Sequence, residues 1–205
     1  MTPTIPLTIP LTSRLREATR ALHTDAERAG VMPQMLRGEL PLPRYVALLH
    51  QLHALYTALE SALAATQHQP GSLPVLPTLA RSAALRADLQ HLDPQGQPTL
   101  VAPMQDYVAH LGSLAPAGLA AHAYVRYLGD LAGGRVLHRI VARCYGLQQD
   151  GLRFYAFEAD PTLLGQALRA QLDALPVAHH DGIVAEAQSA FRRHVDLFEA
   201  LAAPG

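Results

Sequence analysis

The first candidate for chemistry is a histidine in a basic helical segment near the start of the chain. On a helix of 3.6 residues per turn, one face of this segment carries four polar side chains: Arg16, Arg20, His23 and Glu27. A neutral imidazole is a common axial ligand of heme iron, and a guanidinium offers paired donors to a carboxylate such as a heme propionate. This face alone leaves two interpretations of His23 open, an iron ligand and a surface or core histidine.

The second candidate is a group of glycines around one aspartate, in the segment YVRYLGDLAGG. Three glycines inside a helix cost about 0.5–1 kcal/mol each relative to alanine, so another interaction must offset them. Gly129 and Gly133 are four residues apart and leave a strip of bare backbone, which would admit a flat ligand, a kink or a closely packed helix. Asp130 favours the ligand, because a carboxylate beside an apolar helix seam is costly unless it is hydrogen-bonded.

Several other kinds of site are excluded by motifs that the sequence lacks. There is no GxGxxG, GxxxxGK[ST], GxSxG or HExxH, and no Glu-x-x-His pair of the kind that helical di-iron proteins use. The single cysteine, Cys144, excludes an internal disulfide and a cysteine-held zinc or iron–sulfur centre. His50 and His53 could share a metal, but without a third ligand at suitable spacing we interpret them as structural or surface residues. A minor hypothesis is that His194 faces the same site as Asp130.

The elements that would position these residues are helices. Alanine and leucine dominate, β-branched residues are sparse, and apolar residues recur every three or four positions. Thr12 or Ser13 is predicted to cap the first helix, which Gly30 and Pro33 would end. Further helices are predicted at about 43–66, 79–92, 103–111, 117–145, 161–175 and 181–202. With no alternating strand pattern, the expected fold is an all-α, single-domain helical bundle.

The composition is that of a globular protein without a strong charge bias. The 205 residues suit one domain, with 49% hydrophobic and 16% charged side chains. The net charge of −1 gives no general attraction to nucleic acid or an anionic membrane. The first residues lack a basic n-region, and no apolar run of about 18 residues occurs, so neither a signal peptide nor a membrane span is predicted. We expect a cytoplasmic monomer with a flexible segment 1–10 and a helical domain 11–205.

Taken together, the two segments resemble the heme oxygenase family. The stretch AHAYVRYLGDLAGG is the most specific part, and ALHTDAE lies far upstream of it in a chain of similar length to the family's. The segments ALRAQLDAL and AFRRHVDLFEAL are similar to the family's final helices. The resemblance covers most of the chain. It implies a heme held between a proximal N-terminal helix and a kinked distal helix.

On the proximal side, the resemblance implies that His23 ligates the heme iron and that Glu27 orients this histidine. An acceptor beside a ligating imidazole fixes the orientation of its ring and raises its basicity. A basic position that the family carries near Gly165 is missing here. The other implied heme contacts are arginines for the propionates and side chains at the heme edge and wall: Arg16, Arg20, Arg169, Tyr124, Met32 and Phe191.

On the distal side, the resemblance implies that Gly129 and Gly133 lay bare backbone against the sixth position of the iron. Asp130 matches the carboxylate that holds water beside bound O2, with Arg126 and Tyr56 as its partners. Backbone lying low over the ring would direct oxygen toward a meso carbon, and a water held by Asp130 would deliver the proton. The protein thereby steers a reaction that belongs to the cofactor.

The resemblance implies an enzyme for which heme is both cofactor and substrate. O2 and external electrons would convert heme to biliverdin, with release of CO and ferrous iron. The electrons would come from a ferredoxin or an NAD(P)H-dependent reductase. One alternative is a non-catalytic heme carrier or sensor on the same fold, which has no need of Asp130. Another is a helical interaction protein without heme, which would leave His23 and the glycines unexplained.

Overall fold

The computed structural model describes residues 9–74, 77–96 and 99–203, and these residues fold into eight α-helices and three 3-10 helices. The α-helices are α1 (Leu11–Arg28), α2 (Met32–Arg37), α3 (Leu42–Thr66), α4 (Ser82–Leu92), α5 (Ala102–Ser113), α6 (Pro116–Tyr145), α7 (Pro161–Asp173) and α8 (His180–Ala202). The 3-10 helices span Pro77–Leu79, Arg153–Tyr155 and Val177–His179. Within these ranges no strand occurs, which confirms the all-α prediction. Residues 1–8 of the predicted flexible segment lie outside them.

The start of α1 differs from the sequence prediction. The helix begins at Leu11 after Pro10, and no side chain caps it, so the caps predicted at Thr12 or Ser13 are wrong. Thr12 makes a tertiary contact instead. Its backbone N–H and its hydroxyl donate to the two carboxylate oxygens of Asp173 at 2.8 and 2.9 Å. This pair of hydrogen bonds joins the start of α1 to the end of α7.

Of the two residues predicted to end α1, Gly30 follows the helix as expected and Pro33 lies in the next helix. The helix ends at Arg28, and Gly30 follows in a left-handed conformation with φ +49° that disfavours any side chain. Pro33 was expected to help end the helix, but it lies in the first turn of the short helix α2, which the sequence prediction missed. Proline is tolerated there because the N–H groups of a first turn have no partner within the helix.

The core forms around α8, which packs along both α1 and α6. Around this centre, α3 packs against α4 and α5, and α7 packs against α6. Leu15 of α1, Leu55 of α3 and Ile183 of α8 are completely buried. Because α8 contacts both α1 and α6, it holds these two helices beside a common cleft, where the predicted site residues lie.

The longest helix, α6, matches its predicted span of 117–145 to within one residue at its start. Helical structure runs without interruption through Gly129, Gly133 and Gly134, and the chain ends the helix at Gly146 with a left-handed cap at φ +65°. A kink at the glycines therefore stays a prediction.

Across the part of the chain that the structure describes, no helix combines the length and apolar character needed to cross a membrane.

Candidate functional site

A cleft lies between α1 and α6, with α8 at its back. It consists of two adjoining cavities of about 610 and 320 Å³, a size range typical of sites for small molecules and cofactors. Both cavities are lined by His23 of α1, Gly129 of α6 and Phe191 of α8. The two helices that sequence analysis singled out therefore contribute to one site.

His23 presents an accessible imidazole to this cleft. Its side chain is 56% exposed, and the edge of its ring meets Phe191 with the ring centroids 5.9 Å apart. Nδ1 lies 3.8 Å from Oε1 of Glu27, one turn further along α1. This distance is too long for a direct hydrogen bond, but it places a carboxylate on the Nδ1 side of the ring. Nε2 is then the nitrogen that is suited to coordinate a metal.

The glycines of α6 face open space. A Cβ atom added at Gly129 or at Gly133 would meet no atom within 4 Å among the described residues. The alternative that these glycines serve close helix–helix packing is therefore wrong for both positions. Gly134 is different, because it is buried with the carbonyl oxygen of Tyr155 4.0 Å from its added Cβ. The bare strip at Gly129 and Gly133 borders the same cleft as His23, which is the arrangement that a flat ligand requires.

A hydrogen-bonded network lies beside this strip. The Tyr56 hydroxyl donates to Oδ2 of Asp130, and Arg126 donates from Nη2 to Oδ1 of Asp130 at 2.9 Å. Arg126 also donates from Nε to the Tyr56 oxygen at 3.0 Å and from Nη1 to Nε2 of His194 at 3.2 Å. Each donor nitrogen of the guanidinium thus has a partner, and the carboxylate is held in one orientation.

Burial changes the proton affinities within this network. Burial raises the pKa of Asp130 above its ordinary value, although the Arg126 charge and the Tyr56 hydrogen bond oppose this shift. Burial also raises the pKa of the Tyr56 hydroxyl well above its usual value. Asp130 is therefore a carboxyl group that holds a proton more readily than a surface aspartate does, which suits a role in proton delivery.

His194 completes the network as an acceptor. Its Nδ1 lies 2.7 Å from the carbonyl oxygen of Ala190, so Nδ1 carries the proton and Nε2 accepts from Arg126. Burial and the neighbouring Arg126 charge lower the pKa of His194 to about 3. The imidazole is consequently neutral at physiological pH. The minor hypothesis that His194 faces the site is correct, since it lines the smaller cavity.

Exposed arginines surround the larger cavity. Arg16 and Arg20 of α1 and Arg169 of α7 all line it, and a guanidinium can bind a carboxylate through paired donors. A Cβ atom at Gly165 would lie 3.1 Å from Nη1 of Arg169. This chain lacks the basic residue that the family carries near Gly165. The small Gly165 leaves room there for the guanidinium of Arg169.

The heme oxygenase family profile matches residues 9–200 of the chain. The chain belongs to the heme oxygenase family. It is 35% identical to heme oxygenase 1 of Homo sapiens, with 93% of this chain and 71% of the relative covered. It is also similar to the crystal structure of heme oxygenase-1 from Synechocystis sp. PCC6803 in complex with heme, with a TM-score of 0.86, 32% identity and coverage of 93% of this chain and 91% of that one. The heme oxygenase of Leptospira interrogans superimposes with a TM-score of 0.88 at 32% identity, covering 93% and 99%.

The structure brings nearly all the predicted residues of this family's site to the cleft. Glu27, Met32, Arg126, Asp130 and Gly133 line the smaller cavity, and Tyr124 lines the larger one. Tyr56 is the exception. It is completely buried and lines neither of the two cavities, so it reaches the site only through its hydrogen bonds to Asp130 and Arg126.

Sequence analysis missed much of the apolar wall. Leu48 and Leu52 of α3 follow the helical apolar pattern, which predicts that they are buried. The pattern does not show that they line a cavity, as they do in the structure. Phe154 belongs to a 3-10 helix with no sequence signal. Met35 and Leu36 lie in the helix that the prediction missed.

Proposed function

We propose that this protein oxidatively cleaves heme to biliverdin, using O2 and external electrons and releasing CO and ferrous iron. The observation that carries the proposal is the placement of His23 and the bare backbone of Gly129 and Gly133 at one cleft, with Asp130 beside the strip. A heme carrier would need the histidine and the space. It would not need a partly buried carboxyl held by a guanidinium and a phenol.

The residues present fit heme as a substrate. His23 offers Nε2 to the iron, with Glu27 on the opposite side of its ring. The strip at Gly129 and Gly133 leaves free the space that a planar macrocycle needs, because side chains at these positions would project into the cleft. The wall of the cleft is largely apolar, and Met32 and Phe191 belong to it.

Arginine side chains that could pair with the heme propionates line the larger cavity. Arg16, Arg20 and Arg169 line the larger cavity, and a guanidinium pairs with a carboxylate through two parallel hydrogen bonds. Because the chain has no lysine, arginine and histidine are its only cationic side chains for this role. These three exposed arginines would hold the propionates in the larger cavity.

When bound, heme supplies both the iron that binds O2 and the ring carbon that is oxidised. The chain's own contribution is positioning and proton delivery. Gly129 and Gly133 keep side chains away from the distal face. Asp130, held by its hydrogen bonds to Arg126 and Tyr56, would bind water at the distal face and pass a proton to this water. His194 accepts from Arg126 and so keeps the guanidinium oriented toward Asp130.

We further propose that the electrons come from a separate ferredoxin or NAD(P)H-dependent reductase. The arginines around the cleft would form a docking surface for an acidic donor close to the heme edge, where opposite charges steer association. A cytoplasmic location fits the composition, since a single cysteine suits a reducing compartment.

The proposal is tested by a visible absorption series. The purified protein receives one equivalent of hemin, and then ascorbate or a reductase in air. A Soret band that forms and decays into a broad bilin band is the expected result. A Soret band that persists with reductant and O2 would make the protein a heme carrier or sensor, and the enzymatic proposal would be wrong.

A further inference from the structure

Three metal-ligating side chains converge at a point outside the heme cleft. His110 of α5, His122 of α6 and Glu186 of α8 place one ligand atom each within 4.8 Å of one another. Oε1 of Glu186 lies 2.7 Å from Nε2 of His110 and 2.9 Å from Nε2 of His122. None of the three residues lines either cavity of the cleft. The role proposed above for the cleft therefore does not account for this cluster.

The buried member of the cluster is already oriented by a second partner. His122 is completely buried, and its Nδ1 lies 2.8 Å from the hydroxyl oxygen of Tyr107, which is also completely buried. A tyrosine hydroxyl can donate or accept a hydrogen bond, so it can accept one from Nδ1–H, and the Nε2 of that tautomer has a free lone pair. Histidines that bind metals almost always donate their other N–H to a partner of this kind.

The other two members leave the cluster open to solvent on one side. The side chains of His110 and Glu186 are 23% and 19% exposed. An ion can therefore reach the three atoms from solvent, and water can complete its coordination shell. The three residues come from three different helices that pack together through α5, α6 and α8, so the fold itself holds the cluster together.

We propose that His110, His122 and Glu186 form a second site, independent of heme, for a divalent first-row transition metal ion such as Zn²⁺ or Co²⁺. Two imidazoles and one carboxylate form a ligand set that suits these ions, whereas Ca²⁺ and Mg²⁺ prefer oxygen ligands throughout. The ion would replace the two hydrogen bonds to Oε1. With metal–ligand bonds of about 2.0–2.1 Å, a tetrahedral site needs its donor atoms about 3.3 Å apart. The distances from Oε1 of Glu186 to the two histidine nitrogens, now 2.7 and 2.9 Å, would thus lengthen by about half an ångström.

The first experiment titrates the heme-free, chelator-treated protein with CoCl2 and follows the visible d–d bands of the bound ion. One equivalent of Co²⁺ should bind and be displaced by ZnCl2. His110→Asn and Glu186→Gln should each abolish this one-equivalent binding, because each removes one of three protein ligands. Tyr107→Phe keeps all three ligands but removes the partner of Nδ1, so it should weaken the affinity about 10- to 100-fold.

Two controls make the result specific. His68→Asn removes an exposed histidine elsewhere on the surface and should keep one equivalent of Co²⁺. Thermal unfolding of each variant checks that the helices remain folded, and His110→Asn is the main test because His110 is partly exposed. The proposal is wrong if no saturable binding of one equivalent occurs, or if His110→Asn and Glu186→Gln bind Co²⁺ as the parent protein does. It is also wrong if binding depends on His23 instead. Hemin binding, measured in parallel, tests the heme cleft separately.

Discussion

Arg126 donates from Nη2 to Oδ1 of Asp130 at 2.9 Å, from one helical turn earlier on α6. Because the two residues lie one turn apart on the same helix, this contact holds the carboxylate beside Gly129 and Gly133. The guanidinium also contacts Tyr56 and His194, which belong to α3 and α8. Residues of three helices therefore hold the Asp130 carboxyl group in place.

The Asp130→Ala variant tests the role of this carboxyl group. It should bind hemin with its Soret band intact, since Asp130 is not a ligand of the iron. Bilin formation in air with reductant should fall on the order of 10²-fold or more, because a positioned proton donor is lost. Single-turnover absorption spectra measure both quantities. Asp106→Ala, on the exposed surface of α5, is the matched control. Full bilin yield from Asp130→Ala would contradict the role given to Asp130.

The Gly129→Leu variant separates the stability of the protein from its capacity to bind heme. A side chain at this position would enter open space in the heme-free protein, and leucine is a better helix former than glycine by about 0.6–1 kcal/mol. The free energy of unfolding of the heme-free protein should therefore stay equal or rise. Hemin affinity and bilin yield should fall, because the isobutyl group occupies the place of the macrocycle.

Urea unfolding and hemin titration check the two halves of this prediction. Gly182→Leu is the matched control, since Gly182 lies on α8 and a Cβ there also meets no described atom within 4 Å. That variant should bind hemin normally. Normal hemin affinity in Gly129→Leu would show that the bare backbone is not needed by the ligand.

The long helices could be predicted because local sequence determines them, whereas most residues of the site were expected only from the resemblance to the family. The spacing of apolar residues predicted α3 and α6 nearly to the residue. The glycine strip was recognisable because three glycines within one helix require a reason. Among the three explanations, a ligand, a kink or a packed helix, the choice between a ligand and a packed helix depended on the position of the other helices. Only the structure shows that Gly129 and Gly133 face open space.

Tertiary contacts account for what sequence analysis missed. Thr12 was expected to cap α1, but its polar atoms bind Asp173, which is 161 residues away in the chain. His110, His122 and Glu186 have no spacing typical of a metal site, because each comes from a different helix. Interactions across such separations follow from the packing of helices and leave no pattern in the sequence.

The His23→Ala variant tests the axial ligand. Removing the imidazole should shift the Soret band of the hemin complex and lower the affinity for hemin, because the iron loses its protein ligand. The cleft should persist, since His23 is largely exposed and contributes little to the core. Added imidazole should then restore the spectrum by filling the vacated space. His91→Ala, an exposed histidine on α4, should leave the spectrum unchanged. An unchanged spectrum in His23→Ala would remove this residue from the site.

The depressed pKa of His194 predicts a pH dependence of stability. Burial and Arg126 lower this pKa to about 3 in the folded protein, whereas an unfolded histidine titrates near 6.5. Between these values the unfolded chain binds a proton that the folded protein does not. The contribution of His194 to the free energy of unfolding is therefore fully present above pH 6.5. It is lost as the pH falls toward 3, by about 1.4 kcal/mol for each pH unit.

His194→Gln isolates this effect, because the glutamine side chain can still accept from Arg126 but does not titrate. Urea unfolding of the heme-free protein at pH 7, 6 and 5 should show that the parent protein loses stability on acidification faster than His194→Gln does. His91→Gln should lose stability on acidification as fast as the parent protein does, because His91 is exposed and the buried His194 is still present. Parallel pH profiles for the parent and His194→Gln would mean that the imidazole of His194 gains a proton within the folded protein. In that case it could not act as the neutral acceptor that orients Arg126 toward Asp130.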